Sequence, residues 1–147
     1  MSVSNLKDML IFDEGLKCTA YKCPAGFWTV GVGHNLEANS ITTKAAIGIM
    51  RDDIENVMEE IEDNEYLSKV FHGLDDVRAI ALLNMAFQMG VNGLSKFTNT
   101  LEALEDKRWL DAYNHALDSE WYRDDTPARA GRVAQVLLTG TFQAYND

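Results

Sequence analysis

The reading of this chain turns on "EGLKCTAYKCPAGFWTVGVGH", residues 14–34. The stretch opens with a carboxylate, Glu14, placed directly before a glycine. Two cysteines follow, Cys18 and Cys23, and a glycine-punctuated segment closes on His34. "CPAG" is a turn signal. Residues 27–34, "FWTVGVGH", alternate and are rich in β-formers, so they are predicted to form a strand. Gly31 and Gly33 weaken that strand, but they also let another group approach the backbone closely.

Upstream, Leu6, Met9, Leu10 and Asp13 follow helical spacing, with Ser4 as the expected N-cap and Gly15 suited to end the helix. Downstream, Ile47, Met50, Ile54, Val57, Met58 and Ile61 form one apolar stripe. This predicts a long amphipathic helix from about residue 43, capped by Thr42 or Thr43. Residues 75–90, "DDVRAIALLNMAFQMG", are apolar nearly all round, as in the middle of a bundle, with Gly90 as the stop. Shorter helices are expected near 97–106, 108–117 and 127–138, the last with Pro127 at its first position after an N-cap at Thr126. The layout is α+β and mostly helical. One domain over 1–147 is expected, with a β lobe at about 13–42, a connecting helix at about 43–63, and a helical lobe at about 64–147 that also takes the N-terminal helix. A cleft between such lobes is a common ligand site.

Composition narrows the function. The chain has 147 residues, 46% hydrophobic and 24% charged, an ordinary mix for a globular domain. A net charge of −10 argues against nucleic acid as a partner, because phosphate contacts need a cationic surface. No apolar run approaches a membrane span, and the N-terminus lacks a basic region followed by an apolar one, so neither membrane insertion nor a signal peptide is expected. Two cysteines and three scattered histidines give no metal spacing, so no metal or other cofactor is expected.

Glu14 stands at the C-terminal end of a predicted helix, where the macrodipole disfavours an ionised carboxylate; partial burial would push its pKa the same way, toward a general acid. Eight residues lie between Glu14 and Cys23, and five between Cys23 and Thr29. With "DEGL", Tyr21 and "TVGVGH" around it, this frame resembles the bacteriophage-type lysozymes, the endolysin muramidases. Their motif is a glutamate, eight residues, an aspartate or sometimes a cysteine, five residues, and a threonine. "LLNMAFQMG", "GLSKFTNTL", "DKRW", "EWY", "TPARAGRV" and "TGTFQAY" look like family segments in the same order, so the resemblance covers nearly the whole chain. The β region departs from it: between His34 and Ile41 there is room for one loop where longer members have extra hairpin residues.

The resemblance implies hydrolysis of the β-1,4 bond between N-acetylmuramic acid and N-acetylglucosamine in peptidoglycan. Glu14 would protonate the leaving oxygen, Cys23 would stand in the place of the usual aspartate, and Thr29 would hold the attacking water. Cys23 would act as a thiolate that orients or deprotonates water, with direct attack on the sugar as the second choice. Arg129 is similar to an arginine that pairs with the catalytic glutamate, and Gln88 to a hydrogen-bonding partner near it. Phe87 and Thr100 match positions lining the saccharide cleft. Asn35 and His115 fall at cleft positions but with side chains other than those expected. His34 is similar to a structural ion-pair histidine, with Asp53 as its partner.

Cys18 reads as a small buried hydrophobe, and Trp109 and Trp121 as core. A Cys18–Cys23 bridge would disable the site. The resemblance also implies a monomeric endolysin that stays in the host cytoplasm until a separate holin lets it reach periplasmic peptidoglycan and lyse the cell. Rival expectations are a lytic transglycosylase on the same bond, or a non-catalytic peptidoglycan-binding module.

Overall fold

A computed structural model describes residues 3–146. The chain divides into two compact units, Met1–Ile49 and Met50–Asp147. The fold is α+β and mostly helical, as expected.

In the first unit, α1 (Leu6–Glu14) is capped by Asn5, whose side chain accepts the Asp8 N–H at 2.9 Å. Ser4, the cap expected from sequence, instead bonds the Asp8 carboxylate through its N–H and hydroxyl, so both residues restrain the first turn. Gly15 ends the helix at φ +78°, with its N–H bonded to the Ile11 carbonyl at 2.8 Å. A three-stranded antiparallel sheet follows in the order β1 (Lys17–Lys22), β2 (Trp28–Gly31), β3 (His34–Asn35). The single strand expected over 27–34 is thus broken in two. Gly31 and Gly33 both take left-handed φ, so the chain turns back at the glycines instead of continuing. β1 was not expected at all. Tyr21 pairs with Thr29 and Lys22 with Trp28, while Thr29 pairs on its other side with Asn35. Thr29 is therefore on the central strand, and it is buried.

Next comes α2 (Thr43–Asp63), started by the Thr42 hydroxyl accepting the Ala45 N–H, one of the two caps expected. It supplies Ile61 to the core of the second unit. α3 (Glu65–Gly73), unanticipated from sequence, is capped by Asn64 and buries Leu67 and Val70. α4 (Asp76–Ser95) is capped by Asp75. The chain breaks at Gly90 (φ +76°, ψ 162°), as the sequence indicated, but resumes a helical turn to Ser95. α5 (Thr98–Glu105), α6 (Trp109–Leu117) and α7 (Pro127–Thr139) lie where expected, with a π-helical turn (Trp121–Asp125) between the last two. Leu82, Met85, Leu94, Leu101, Leu104 and Leu137 fill the centre of this bundle. Among the described residues, no helix is long and apolar enough to cross a membrane.

One cation closes the bundle. Arg78 of α4 donates from Nε to the Leu137 carbonyl (2.8 Å) and from Nη2 to the Leu138 carbonyl (2.9 Å), satisfying α7 carbonyls that the helix itself leaves open. Its guanidinium also stacks on Trp109 at 3.9 Å. Arg78→Met is expected to keep the stem packing but lose these bonds, costing about 2–4 kcal/mol from two charge-assisted bonds and one cation–π contact. Urea unfolding measures it; a loss below about 1 kcal/mol would show that water replaces the guanidinium freely.

Candidate functional site

The expected site residues fall into two groups, each within one unit. Glu14, Cys23, Thr29 and Asn35 belong to the first; Phe87, Gln88, Thr100, His115 and Arg129 belong to the second.

Glu14 is the last residue of α1, so a rigid element carries it to the point where Gly15 turns the chain away. The residue is exposed, so the partial burial that would add to the effect of the helix end is absent. Its carboxyl group lies over the backbone of Gly33, in the turn joining β2 to β3.

Cys23 opens the turn between β1 and β2. Its N–H bonds the Phe27 carbonyl at 2.9 Å, and its own carbonyl accepts the Gly26 N–H at 2.8 Å. The backbone N–H of Phe27 does most to hold the Cys23 thiol below its ordinary pKa. Partial burial opposes it, and the Ala25 N–H, the Thr29 hydroxyl and the Gly26 N–H add smaller pulls in the same direction as Phe27. A thiolate is the species such a cradle favours. Thr29 donates its hydroxyl to the Phe27 carbonyl at 2.9 Å. That proton can serve the carbonyl or the sulfur, and in either case the oxygen keeps lone pairs for a water. Asn35 is engaged locally: its Oδ1 accepts the N–H groups of Glu37 and Ala38, both at 3.0 Å. His34 lies with Nε2 3.1 Å from the Asn39 carbonyl.

Cys18 is exposed on β1, not buried as expected, because this strand forms the sheet edge. Cys18 and Cys23 are both free thiols in this structure, the first on β1 and the second in the turn that follows it.

In the second unit, Arg129 occupies the first turn of α7, where a cation stands against the helix dipole. Asn84 of α4 holds it: its Oδ1 accepts from Nε at 3.1 Å and from Nη2 at 2.9 Å. Asn84 is neutral, so it orients the guanidinium without cancelling its charge. Gln88, one turn further along α4, accepts the Trp121 indole N–H at 3.0 Å and donates to the Thr126 hydroxyl at 2.9 Å. Thr126 precedes Pro127 as expected but makes no side-chain cap bond; its hydroxyl serves Gln88 instead. Phe87 and Arg129 line one hollow, with Met50, Ile54 and Ile80. Thr100 and His115 line another, polar one, with Lys96, Asn99 and Ser119. Thr100 is buried at the base of its helix rather than on the surface. Trp121 is core, and Trp109 is half-buried against it.

The sequence reading missed Asn84 as the group that seats Arg129. Its signal was present: Asn84 and Gln88 are polar residues four apart on one face of the mostly apolar stretch 79–91.

Comparison with known proteins follows the same lines. A family model described as phage lysozyme matches residues 12–139. The chain is 34% identical over 169 aligned positions to Probable T4-type lysozyme 1 of Dictyostelium discoideum, spanning 97% of this chain and 99% of that protein. It is 31% identical over 166 positions to the Pre-baseplate central spike protein Gp5 of Enterobacteria phage T4, over 96% of this chain but 29% of that one. A segment is 45% identical over 47 positions to an Endolysin of Acyrthosiphon pisum secondary endosymbiont phage 1, 30% of this chain and 32% of that protein. The first two alignments are longer than the 147 residues here, so those relatives carry residues that this chain lacks.

Proposed function

The chain belongs to the phage lysozyme family, and on that premise we propose that this lysozyme acts as an endolysin, cleaving the β-1,4 bond between N-acetylmuramic acid and N-acetylglucosamine. Glu14 donates a proton to the leaving oxygen, the Cys23 thiolate orients or deprotonates the attacking water, and Thr29 holds that water. The supporting observation is the turn at Cys23. It gathers backbone donors and the Thr29 hydroxyl around one sulfur, on the sheet whose other turn carries the Glu14 carboxyl. Phe87, His115 and the amide of Asn35 contact saccharide in this reading, while the burial of Thr100 leaves it to shape the hollow from beneath; Arg129, set by Asn84, supplies positive charge. Acting as a monomer, the protein reaches peptidoglycan in the periplasm through a lesion made by a separate holin, and the host lyses.

Turbidity of outer-membrane-permeabilised Gram-negative cells tests this reading. Clearing at catalytic protein concentrations is expected; binding to the wall without clearing would leave only a binding module. One observation favours a second reading, a lytic transglycosylase: position 23 carries no carboxylate, and that reaction needs no activated water.

Salt dependence follows from charge. The wall is anionic and the protein carries −10, so long-range repulsion is screened to about 10 Å at 0.1 M salt. Clearing is expected to hold steady or rise from low to moderate ionic strength. A steep fall would mean that a local cationic face around Arg129 and Arg132 governs binding.

A further inference from the structure

Gly31, the last residue of β2, and Gly33, in the β2–β3 turn, share a backbone conformation but differ in what stands beside them. Gly31 has φ +72°, and a Cβ added to it would meet nothing within 4 Å. Gly33 has φ +66°, and a Cβ there would stand 2.7 Å from Glu14 Oε2, 2.9 Å from its Cδ and 3.2 Å from its Cγ. The left-handed conformation explains glycine at both positions. At Gly33 alone, the space a side chain would fill is taken by the carboxyl group of the proposed acid.

We propose that Gly33 is a positioning residue for the proton donor: its bare backbone is the seat on which the Glu14 carboxyl group rests. The proposal depends on the reading of Glu14 as the acid. Glu14 is exposed, and its long side chain has several rotamers open to it. A close-fitting surface on one side removes some of them and sets the height of the carboxyl above the sheet. A methyl group at 33 would not be costly to accommodate, because the far end of a glutamate swings away readily. It would move the acid instead. A displacement of about 1 Å at a reacting group costs on the order of 10²-fold in rate.

The matched glycines supply the test. Gly33→Ala, Gly33→Asn and Gly31→Ala are compared with wild type for unfolding midpoint, kcat and KM on solubilised peptidoglycan, and for the ¹³C resonance of the Glu14 carboxyl, assigned by its loss in Glu14→Gln. Asparagine tolerates left-handed φ, so Gly33→Asn keeps the added Cβ while easing the backbone penalty. Gly33→Ala and Gly31→Ala are expected to lose similar stability. The position 33 variants lose kcat by roughly 10²-fold with KM within about threefold, and they shift the Glu14 resonance; Gly31→Ala keeps kcat within about threefold and leaves the resonance in place. The proposal is overturned if a folded position 33 variant keeps wild-type kcat, or if Gly31→Ala loses as much. It is also overturned if neither position 33 variant folds while Gly31→Ala does, because the glycine would then hold the hairpin and not the acid. The resonance reads the contact without reference to activity. An active Glu14→Gln enzyme would sink the acid assignment, whereas an unmoved resonance would sink the seat.

Discussion

Glu14→Gln is expected to lower lytic activity by ~10²–10⁴, the usual worth of general acid catalysis. The amide keeps the size and shape of the carboxyl group but has no acidic proton to give. Glu14 ends α1, is exposed, and contributes nothing to the core, so the substitution should leave the fold intact. The variant should still bind the wall, because saccharide contacts fall to other residues. Circular dichroism and pelleting with purified peptidoglycan check folding and binding, and clearing of permeabilised cells checks rate. A folded Glu14→Gln protein that clears at near wild-type rate would remove Glu14 from the mechanism.

The second large effect belongs to Cys23. Cys23→Ala should cost on the order of 10²-fold or more if the thiolate activates water, and Cys23→Ser should rescue little, because a hydroxyl is not ionised near neutral pH. Cys23→Asp should remain active with its pH profile moved toward acid. A carboxyl group ionises at lower pH than a thiol, which sets that direction; in the wild-type protein the Phe27 N–H and its neighbours hold the thiol below its ordinary value. Activity that needs the thiolate therefore rises with pH along a limb centred below the pKa of an ordinary thiol, and alkylation by iodoacetamide should follow the same limb and be slowed by bound oligosaccharide. Stability takes the same sign. With the folded value lower than the unfolded one, the contribution of the thiolate is fully present above ~8.5 and is lost as pH falls through the folded value. The stability gap between wild type and Cys23→Ala should open with rising pH across that window. Product anomers then separate roles, since a thiolate base gives inversion and a thiolate nucleophile retention. Equal clearing by Cys23→Ala and wild type from about pH 5 to 9, a range that brackets the thiol limb, would reduce this cysteine to packing.

Much of this molecule is legible in its residues. The end of α1 at Gly15, the start of α2 at Thr42, the break at Gly90 and the positions of α5 to α7 all follow from periodicity and punctuation. β1 is not legible, because "KCTAYK" lies largely exposed on an edge and shows no alternation of buried and exposed residues. α3 could have been found from its Asn64 cap and from Leu67 and Val70, three residues apart. The candidate site divides in the same way. Glu14, Cys23 and Thr29 are offered by the resemblance of their spacing to the family motif. The burial of Glu14 and Cys18 is not legible in the same way, because burial depends on what folds over a residue. The Thr126 hydroxyl illustrates the limit: sequence offers it as a helix cap, and only the packing of α4 against α7 shows that Gln88 has taken it. The seat at Gly33 is of the same kind, a contact between a helix end and a hairpin turn.

Hydrolysis of the muramic acid linkage adds a water to each released fragment, and fragment mass reads that addition. Purified Gram-negative peptidoglycan is digested to completion, and the soluble muropeptides are analysed by mass spectrometry, with Glu14→Gln as the control. The expected products are fragments ending in reducible N-acetylmuramic acid, each heavier by one water than its anhydro counterpart, and almost none from the control. Fragments ending in 1,6-anhydro-muramic acid, or none from the wild-type protein, would contradict hydrolysis.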